Sequence, residues 1–263
     1  MRTRYAGRSK EELDEMFSNL ATFRDTVLDN ARVEPGDNVL DVGAGTGLLA
    51  LAAAERVGPE GDVVAVDVSA DALEELRRVA TSPNISYFIG NAEVLPVPDG
   101  SVDVVLTRSV LIYVDEKAEA VREFFRVLRA GGRVSIFEPI NSRNTRLSEA
   151  IDFGALADQM RKWEDARYGR ADDPMLNFDE RDLGRFFVEA GFAEVNVDFR
   201  SWEQEIAAER LLTGIGAPGR SSLRADWGCE FGAEDVKQLV AAVHAQSPVR
   251  LNWPQVYLTA SKP

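Results

Sequence analysis

Length, composition and charge set the first limits on this chain. It has 263 residues, 45% of them apolar, which is ample for one large α/β domain or for a domain with an appended lobe. A formal charge of −14 argues against a nucleic-acid partner, because that affinity comes mostly from Lys and Arg neutralising phosphates. Cys229 is the only cysteine, which excludes an internal disulfide and a multi-thiolate zinc site, and no apolar run approaches membrane-spanning length.

The amino-terminal residues predict a helix and no secretory signal. Residues 1–10 lack an apolar core and run into an acidic segment, so we expect a cytoplasmic protein. From Lys10 to Asn30 apolar side chains recur at helical spacing, and most of them are expected to be packing residues. The preceding arm contains Tyr5, and such an arm either frays, which is the commoner behaviour, or folds over a ligand as a lid.

A strand followed by a glycine-rich turn is the most informative feature. The buried run Asn38 to Val42 leads into Gly43, Gly45 and Gly47. Glycine is used where φ is positive or where a ligand must approach closer than a Cβ allows. A dinucleotide-binding turn requires Gly-x-Gly-x-x-Gly, but Leu48 occupies the position of its third glycine. The turn therefore favours a nucleotide-like ligand and makes a nicotinamide dehydrogenase the weaker alternative.

The turn and the segments that follow it resemble the motifs of a known enzyme family, in the same order and at similar spacing. An acidic residue before Gly-x-Gly-x-Gly resembles the first motif of the class I S-adenosylmethionine-dependent methyltransferases. A second strand ends at Asp67, twenty residues beyond Gly47, where a carboxylate is able to accept two ribose hydroxyls. Taken alone, Asp67 would as readily cap the helix that begins near Ala70. The segments 90–105 and 124–139 resemble the next pieces of the family in the right order, so residues 39–139 carry the resemblance.

The resemblance implies S-adenosylmethionine as cofactor, S-adenosylhomocysteine as product, and a defined binding site. Asn91 departs from the family, which more often has Asp at the position that accepts the adenine amino group; the Asn oxygen is able to do the same without a charge. The backbone near Arg108 is expected to receive the amino group of the donor. The cofactor site implied in this way consists of Asp41, Gly43, Ala44, Gly45, Gly47, Asp67, Val68, Asn91, Ala92, Arg108 and Ser109.

The alternation of strands and amphipathic helices predicts an α/β fold. We expect a doubly wound, mostly parallel seven-stranded sheet, and the family order is 3-2-1-4-5-7-6 with an antiparallel strand 7. The predicted parts are an amino-terminal helical arm or lid (1–30), a Rossmann-like cofactor-binding core (31–139), a cap insertion (140–176), a core helix with strand 6 (177–199), a second cap insertion (200–253) and strand 7 (254–263). Strand 6 is predicted at Ala193–Phe199.

Both insertions emerge at the carboxyl face of the sheet, where open α/β sheets bind ligands, so they are expected to cover the methyl donor. All four tryptophans fall in or beside them. Each tryptophan either fills the core of the cap or lines a pocket, and at least one is expected to line the pocket. The predicted contacts with the acceptor are Tyr5, Tyr113, Arg143, Trp163, Tyr168, Trp202 and Trp227.

Methyl transfer from a sulfonium chiefly requires alignment and exclusion of water, so a catalytic residue is not guaranteed. A hydroxyl acceptor would benefit from a general base. His244, the only histidine, and Glu138, at the end of strand 5, are the candidates. The alternative for His244 is a surface position, and for Glu138 it is a turn cap or an ion pair with Arg143. The acidic residues do not show the spacing of a set of oxygen ligands for a metal ion, so no metal is expected.

The sequence thus predicts an S-adenosylmethionine-dependent methyltransferase acting on an apolar or aromatic small molecule. The expected context is biosynthesis, because the sequence resembles the branch that includes ubiquinone and menaquinone biosynthesis enzymes and many natural-product methyltransferases. The sequence does not decide whether the acceptor atom is oxygen, nitrogen or carbon. It does not decide the oligomeric state either, for which a homodimer is one option. Two alternatives remain: an enzyme that uses the same cofactor for decarboxylation, cyclisation or aminocarboxypropyl transfer, and a non-catalytic regulatory protein that binds it.

Overall fold

The computed structural model describes residues 10–170, 172–214 and 222–263, with side chains from residue 17 onward. The strands of this part of the chain are β1 (Asn38–Val42), β2 (Asp62–Asp67), β3 (Ile85–Ile89), β4 (Val102–Arg108), β5 (Leu128–Pro139), β6 (Ala193–Ile206) and β7 (Val249–Ser261). The helices are α1 (Lys10–Asn30), α2 (Leu48–Val57), α3 (Ala70–Val79), α4 (Lys117–Val127), α5 (Leu147–Ala150), α6 (Ala157–Tyr168), α7 (Glu180–Glu189), α8 (Ala208–Thr213), α9 (Leu223–Glu230) and α10 (Ala233–Ala245).

All seven strands join one sheet in the order β3-β2-β1-β4-β5-β7-β6. β1 pairs in parallel with β2 and β4, β2 with β3, and β4 with β5. β7 pairs with β5 in the antiparallel sense, from Ser261 opposite Arg133 to Gln255 opposite Pro139. β4 is buried along almost its whole length, as expected for a central parallel strand covered on both faces. The predicted doubly wound fold is confirmed.

Local signals in the sequence account for the ends of several helices. The Ser69 hydroxyl accepts the N–H of Ala72 and caps α3, while Asp179 caps α7 and exchanges hydrogen bonds with Asp182 in a capping box. α7 is followed by Gly191 at a φ of +99°, a conformation suited to glycine after a helix. No helix among the described residues is both long and apolar enough to cross a membrane.

The chain divides into two compact units. The larger one comprises Asp14–Ile140, Phe178–Arg200 and Gln255–Pro263, and the smaller one includes Asn141–Asn177 and Ser201–Pro254. One apolar cluster of the larger unit brings α1 and α2 against the sheet and includes Leu28, Leu49, Val104, Phe137 and Tyr257. The smaller unit has a core of its own, built from residues that include Phe153, Met160, Leu212, Trp227 and Leu239.

Two strands extend further than the sequence predicts. β6 does not end at Phe199 but continues to Ile206, and β7 begins at Val249, before the predicted start at Pro254. Proline lacks an N–H and usually marks a strand edge, which is why it suggested a boundary. The register with β5 begins at Gln255, so the missing N–H of Pro254 removes no bond from that ladder.

Candidate cofactor and active site

The turn after β1 is held by the neighbouring strand. The backbone N–H groups of Gly43 and Ala44 both donate to the carbonyl oxygen of Val66, at 2.7 and 3.0 Å. Gly43, Gly45 and Gly47 have φ angles of +70°, +53° and +97°. Residues with a Cβ rarely adopt these angles, so the spacing of the glycines reflects a requirement of the backbone.

Gly45 differs from the other two glycines in its surroundings. A Cβ on Gly43 would collide with Val110, and a Cβ on Gly47 would collide with Leu76. At Gly45 no heavy atom lies within 4 Å of the corresponding position. Close packing therefore fixes the two outer glycines, whereas the open side of the middle one leaves room for a ligand to reach the backbone.

Asp67 ends β2 beside this turn. Its Oδ2 accepts the N–H of Gly45 at 2.7 Å, and its Oδ1 accepts the N–H of Ser69 at 2.8 Å. A carboxylate offers about four lone-pair sites, so both oxygens keep capacity for further donors such as ribose hydroxyls. Ser69 rather than Asp67 is the N-cap of α3. Val68, the next residue, is 71% exposed and presents an apolar surface beside the carboxylate.

Asp41 lies beneath the turn. Its side chain is buried, it accepts a hydrogen bond from the backbone N–H of Ala50, and its Oδ2 has no partner among the described residues. Burial raises the pKa of Asp41 to about 8, the charge of Asp67 adds to this, and the bond from Ala50 opposes it. The acid therefore links β1 to α2 and supports the turn from below, in a largely neutral form near pH 7.

We expect Asp41→Asn to flatten the dependence of stability on pH. An acid whose pKa is raised by folding makes the native state bind more protons than the unfolded chain, so stability falls as pH rises from about 4 to about 8. Asparagine keeps the shape of the neutral acid but does not titrate. It therefore removes this decrease in the free energy of unfolding, which amounts to at most ~1.4 kcal/mol per pH unit. Urea unfolding at several pH values measures it, with Asp62→Asn as the exposed control. Identical slopes in wild type and Asp41→Asn would contradict the assignment.

Asn91 and Ala92 follow β3 at the same edge of the sheet. The Asn91 Oδ1 accepts the N–H of Val94 at 2.8 Å and closes a short turn. A carbonyl oxygen has two lone pairs, so one acceptor position remains for an adenine amino group. Ala92 is buried below it, and Val94 is exposed. Val94 was not predicted as a site residue; its exposure, which the sequence does not reveal, suggests an apolar wall.

The loop after β4 is anchored at both of its ends. Ser109 has a φ of +55°, and its N–H donates to the carbonyl oxygen of Phe137 at 2.8 Å. Glu138 is fully buried, and its carboxylate accepts the N–H groups of Val110, Leu111 and Ile112 at 2.8 to 3.1 Å. Burial raises the pKa of Glu138 to about 7, while these three bonds oppose the shift. Such a position favours the turn-capping alternative for Glu138.

The other candidates lie in different environments. Tyr113 is exposed on the 3-10 turn Leu111–Tyr113. His244 is half-exposed on α10, and its Nε2 lies 3.5 Å from the Oε1 of Glu209 on α8. This environment matches the surface alternative. Tyr5 lies outside the described residues. Arg143 ends a short 3-10 turn after β5, and its carbonyl oxygen accepts the side-chain N–H of Asn252.

The three predicted tryptophans separate by burial. Trp227 is fully buried, and its ring meets those of Phe153 and Trp163 edge-on at centroid distances of 6.2 and 6.4 Å. It is therefore a core residue of the smaller unit, the alternative that the sequence left open. Trp163 is partly buried against the same core, and Trp202 is exposed.

The smaller unit contains a cavity of about 510 Å³. Its apolar and aromatic walls come from Leu147, Tyr168, Met175, Leu176, Leu211, Leu223, Leu251 and Trp253, and its polar walls from Asn141, Ser142, Asn144, Thr145, Arg146, Glu164, Arg167, Asp173, Thr213, Gly214 and Asn252. Of the predicted acceptor contacts, Tyr168 is in this lining. Trp253 was considered only among the four tryptophans, and the buried Glu164 was not predicted. Within the described chain, no group of three or more His, Cys, Asp or Glu residues is arranged to hold a metal ion.

Comparison with known proteins agrees with this geometry. The family model described as a methyltransferase domain matches residues 39–132. The ubiquinone/menaquinone biosynthesis C-methyltransferase UbiE of Yersinia enterocolitica is 34% identical over 181 residues, which cover 64% of this chain and 71% of the relative. The YcgJ protein of Bacillus subtilis has a TM-score of 0.60 at 18% identity, over 92% of this chain and 98% of that one.

Haemonchus contortus phosphoethanolamine N-methyltransferase 2, solved with phosphomonomethylethanolamine and S-adenosylhomocysteine, shares the fold. Its TM-score is 0.53 at 18% identity, over 91% of this chain and 52% of that one. Together with the sequence relatives and the glycine turn, these findings define the class. The chain belongs to the class I S-adenosylmethionine-dependent methyltransferases. It is an enzyme whose cofactor is S-adenosylmethionine.

The residues of the turn fit this cofactor. The open face of Gly45 admits a ligand to the backbone, and the free lone pairs of Asp67 suit ribose hydroxyls. The exposed Val68 and the Asn91 oxygen lie on the segments that follow β2 and β3. When bound, S-adenosylmethionine supplies an electrophilic methyl group. The protein holds and orients it.

Proposed function

We propose that this enzyme methylates a small apolar or aromatic acceptor, and that the acceptor binds in the cavity of the smaller unit. The observation that carries the proposal is the cavity itself, whose volume of about 510 Å³ falls in the range of small-molecule sites. Its lining contains leucine, methionine and aromatic side chains together with polar groups. Such a lining suits a molecule with an apolar body and polar substituents, such as a substituted ring.

The sequence relatives support an acceptor of this type. UbiE of Yersinia enterocolitica is named as a C-methyltransferase of ubiquinone and menaquinone biosynthesis. A quinone-type ring combines a flat apolar body with polar oxygens, which suits a lining that has both apolar and polar groups. We therefore propose a quinone-like or related aromatic ring as the class of acceptor to test first.

The same proposal assigns most of the rate to alignment. The carboxylate of Glu138 is occupied by three backbone N–H groups, and His244 is half-exposed beside Glu209. Neither environment is the one expected of a general base. Alignment and exclusion of water contribute up to roughly 7 to 11 kcal/mol in favourable cases, which suffices for a donor that is already electrophilic.

Met175→Trp tests the cavity. Met175 is a half-buried lining residue, so a larger ring there reduces the volume available to the acceptor. We expect the KM for a quinone-type acceptor to rise about tenfold or more, with the affinity for S-adenosylmethionine unchanged. Val188→Trp, on the exposed face of α7 in the larger unit, is the matched control. Equal acceptor kinetics in both variants would mean that the acceptor binds elsewhere.

Product mass separates methyl transfer from the two alternatives. Decarboxylation, cyclisation or aminocarboxypropyl transfer would consume donor or acceptor without adding one methyl group to the acceptor. A non-catalytic regulatory protein would bind the cofactor without turnover of any acceptor. Each alternative therefore gives a product spectrum that differs from the one expected here.

A further inference from the structure

Arg108 has an unusual environment at the carboxyl end of β4. Its guanidinium lies 5.6 Å from the ring centroid of Phe23 on α1 and 5.6 Å from that of Phe137 on β5. In the described part of the chain no hydrogen bond or ion pair reaches this guanidinium, and its Nε is shielded from solvent without a partner. Cation–π contacts stabilise the charge in part, but they leave its N–H donors unused.

A largely buried cation without an anionic partner is costly unless a ligand completes it. The neighbouring acid does not serve, because both oxygens of Glu138 accept backbone N–H groups and no ion pair joins it to Arg108. Burial lowers the pKa of Arg108 from its ordinary value, while the charge of Glu138 raises it. An arginine side chain stays protonated near neutral pH. The site therefore carries a positive charge that an anionic ligand would neutralise.

The register of the sheet places Arg108 next to the cofactor turn. Thr107 pairs with Val42, so Arg108 lies beside Gly43, the first residue after β1. Neighbouring strands lie about 4.8 Å apart. Arg108 therefore lies at the same carboxyl end of the sheet as Gly43, Gly45 and Asp67.

S-adenosylmethionine carries one carboxylate, on its amino-acid end. We infer that the Arg108 side chain binds this α-carboxylate of the donor, a role distinct from the backbone contact that the sequence predicts near the same residue. The planar guanidinium is suited to bidentate recognition of a carboxylate. The rings of Phe23 and Phe137 lie 4.6 Å apart and pack against the same side of the guanidinium, so the side chain is held in place before the ligand arrives. This inference depends on the cofactor and not on the proposed acceptor.

Calorimetric titration without any acceptor tests the inference. The two ligands are S-adenosylhomocysteine and its decarboxylated analogue, S-adenosyl-3-thiopropylamine, and the proteins are wild type, Arg108→Gln and Arg108→Lys. We expect wild type to prefer the carboxylate-bearing ligand by about 10- to 100-fold, the usual range for a hydrogen-bonded charged group. In Arg108→Gln the preference should vanish while affinity for the analogue stays within a few-fold of wild type. Lysine should restore part of it.

Arg77→Gln is the matched control, because its guanidinium also stacks on a ring, that of Tyr87 at 5.2 Å, and Arg77 is not among the residues assigned to the cofactor site. It should retain the wild-type preference. Retained binding of the analogue to Arg108→Gln shows that the variant is folded, so a lost preference is then specific to the carboxylate. An unchanged preference in Arg108→Gln, or an equal loss of both ligands, would overturn the inference. A carboxylate supplied by the acceptor would likewise leave the preference unchanged.

Discussion

Asp67→Ala is expected to weaken S-adenosylmethionine binding by at least about 100-fold. Each hydrogen bond to a charged group contributes roughly 1.5 to 3 kcal/mol, so two lost ribose contacts correspond to about 3 kcal/mol or more. The variant also removes the acceptors of the Gly45 and Ser69 N–H groups, which loosens the turn that the donor contacts. Calorimetric titration with S-adenosylmethionine and S-adenosylhomocysteine, beside NADH, measures the effect.

Two further variants define the control. Asp62→Ala removes an exposed acid from the opposite end of the same strand, and it should bind like wild type. Asp67→Asn keeps the size of the side chain without its charge, and it should fall between wild type and alanine. Undiminished binding to Asp67→Ala, or a preference of the wild type for NADH, would remove Asp67 from the donor site.

Gly43→Ala is expected to lower the free energy of unfolding by about 2 to 5 kcal/mol. An alanine in the left-handed region costs roughly 1 to 2 kcal/mol, and overpacking of a filled site costs typically another 1 to 3 kcal/mol. Both apply at Gly43, where φ is +70° and the new Cβ would collide with the Val110 side chain. Urea unfolding followed by circular dichroism gives the value.

Gly36→Ala separates the two contributions. Gly36 also has a positive φ, +88°, but no heavy atom lies within 4 Å of its Cβ position. This variant should lose only the backbone part, about 1 to 2 kcal/mol. If the two variants unfold at the same urea concentration, the contact with Val110 does not restrict residue 43.

Local patterns predicted those parts of the molecule whose cause is local. The glycine turn, the limits of α1 and the capped helix α7 follow from spacing, caps and periodicity within short windows. The strand order came from family resemblance rather than from such patterns, and the structure confirms it. Strand ends were less accurate, because pairing with a distant partner rather than composition decides where β6 and β7 stop.

The candidate site was harder to predict where distant contacts decide the role of a side chain. Glu138 binds N–H groups 26 to 28 residues away, which no local pattern reveals. Trp227 fills a core formed by segments far apart in the sequence. The local sequence around it therefore does not predict whether its side chain is buried. The environment of Arg108 depends on α1 and β5 together; the sequence suggested only packing for Phe23.

Transfer of a labelled methyl group is the most direct test of the central claim. The wild-type enzyme is incubated with a quinone-type ring and S-adenosylmethionine carrying a trideuterated methyl group, and both products are analysed by mass spectrometry. We expect S-adenosylhomocysteine together with an acceptor heavier by one trideuterated methyl, and much less of both products with Asp67→Ala at a limiting donor concentration. Donor consumption without label in the acceptor, or tight donor binding without turnover across a panel of aromatic acceptors, would contradict methyl transfer to a molecule of this class.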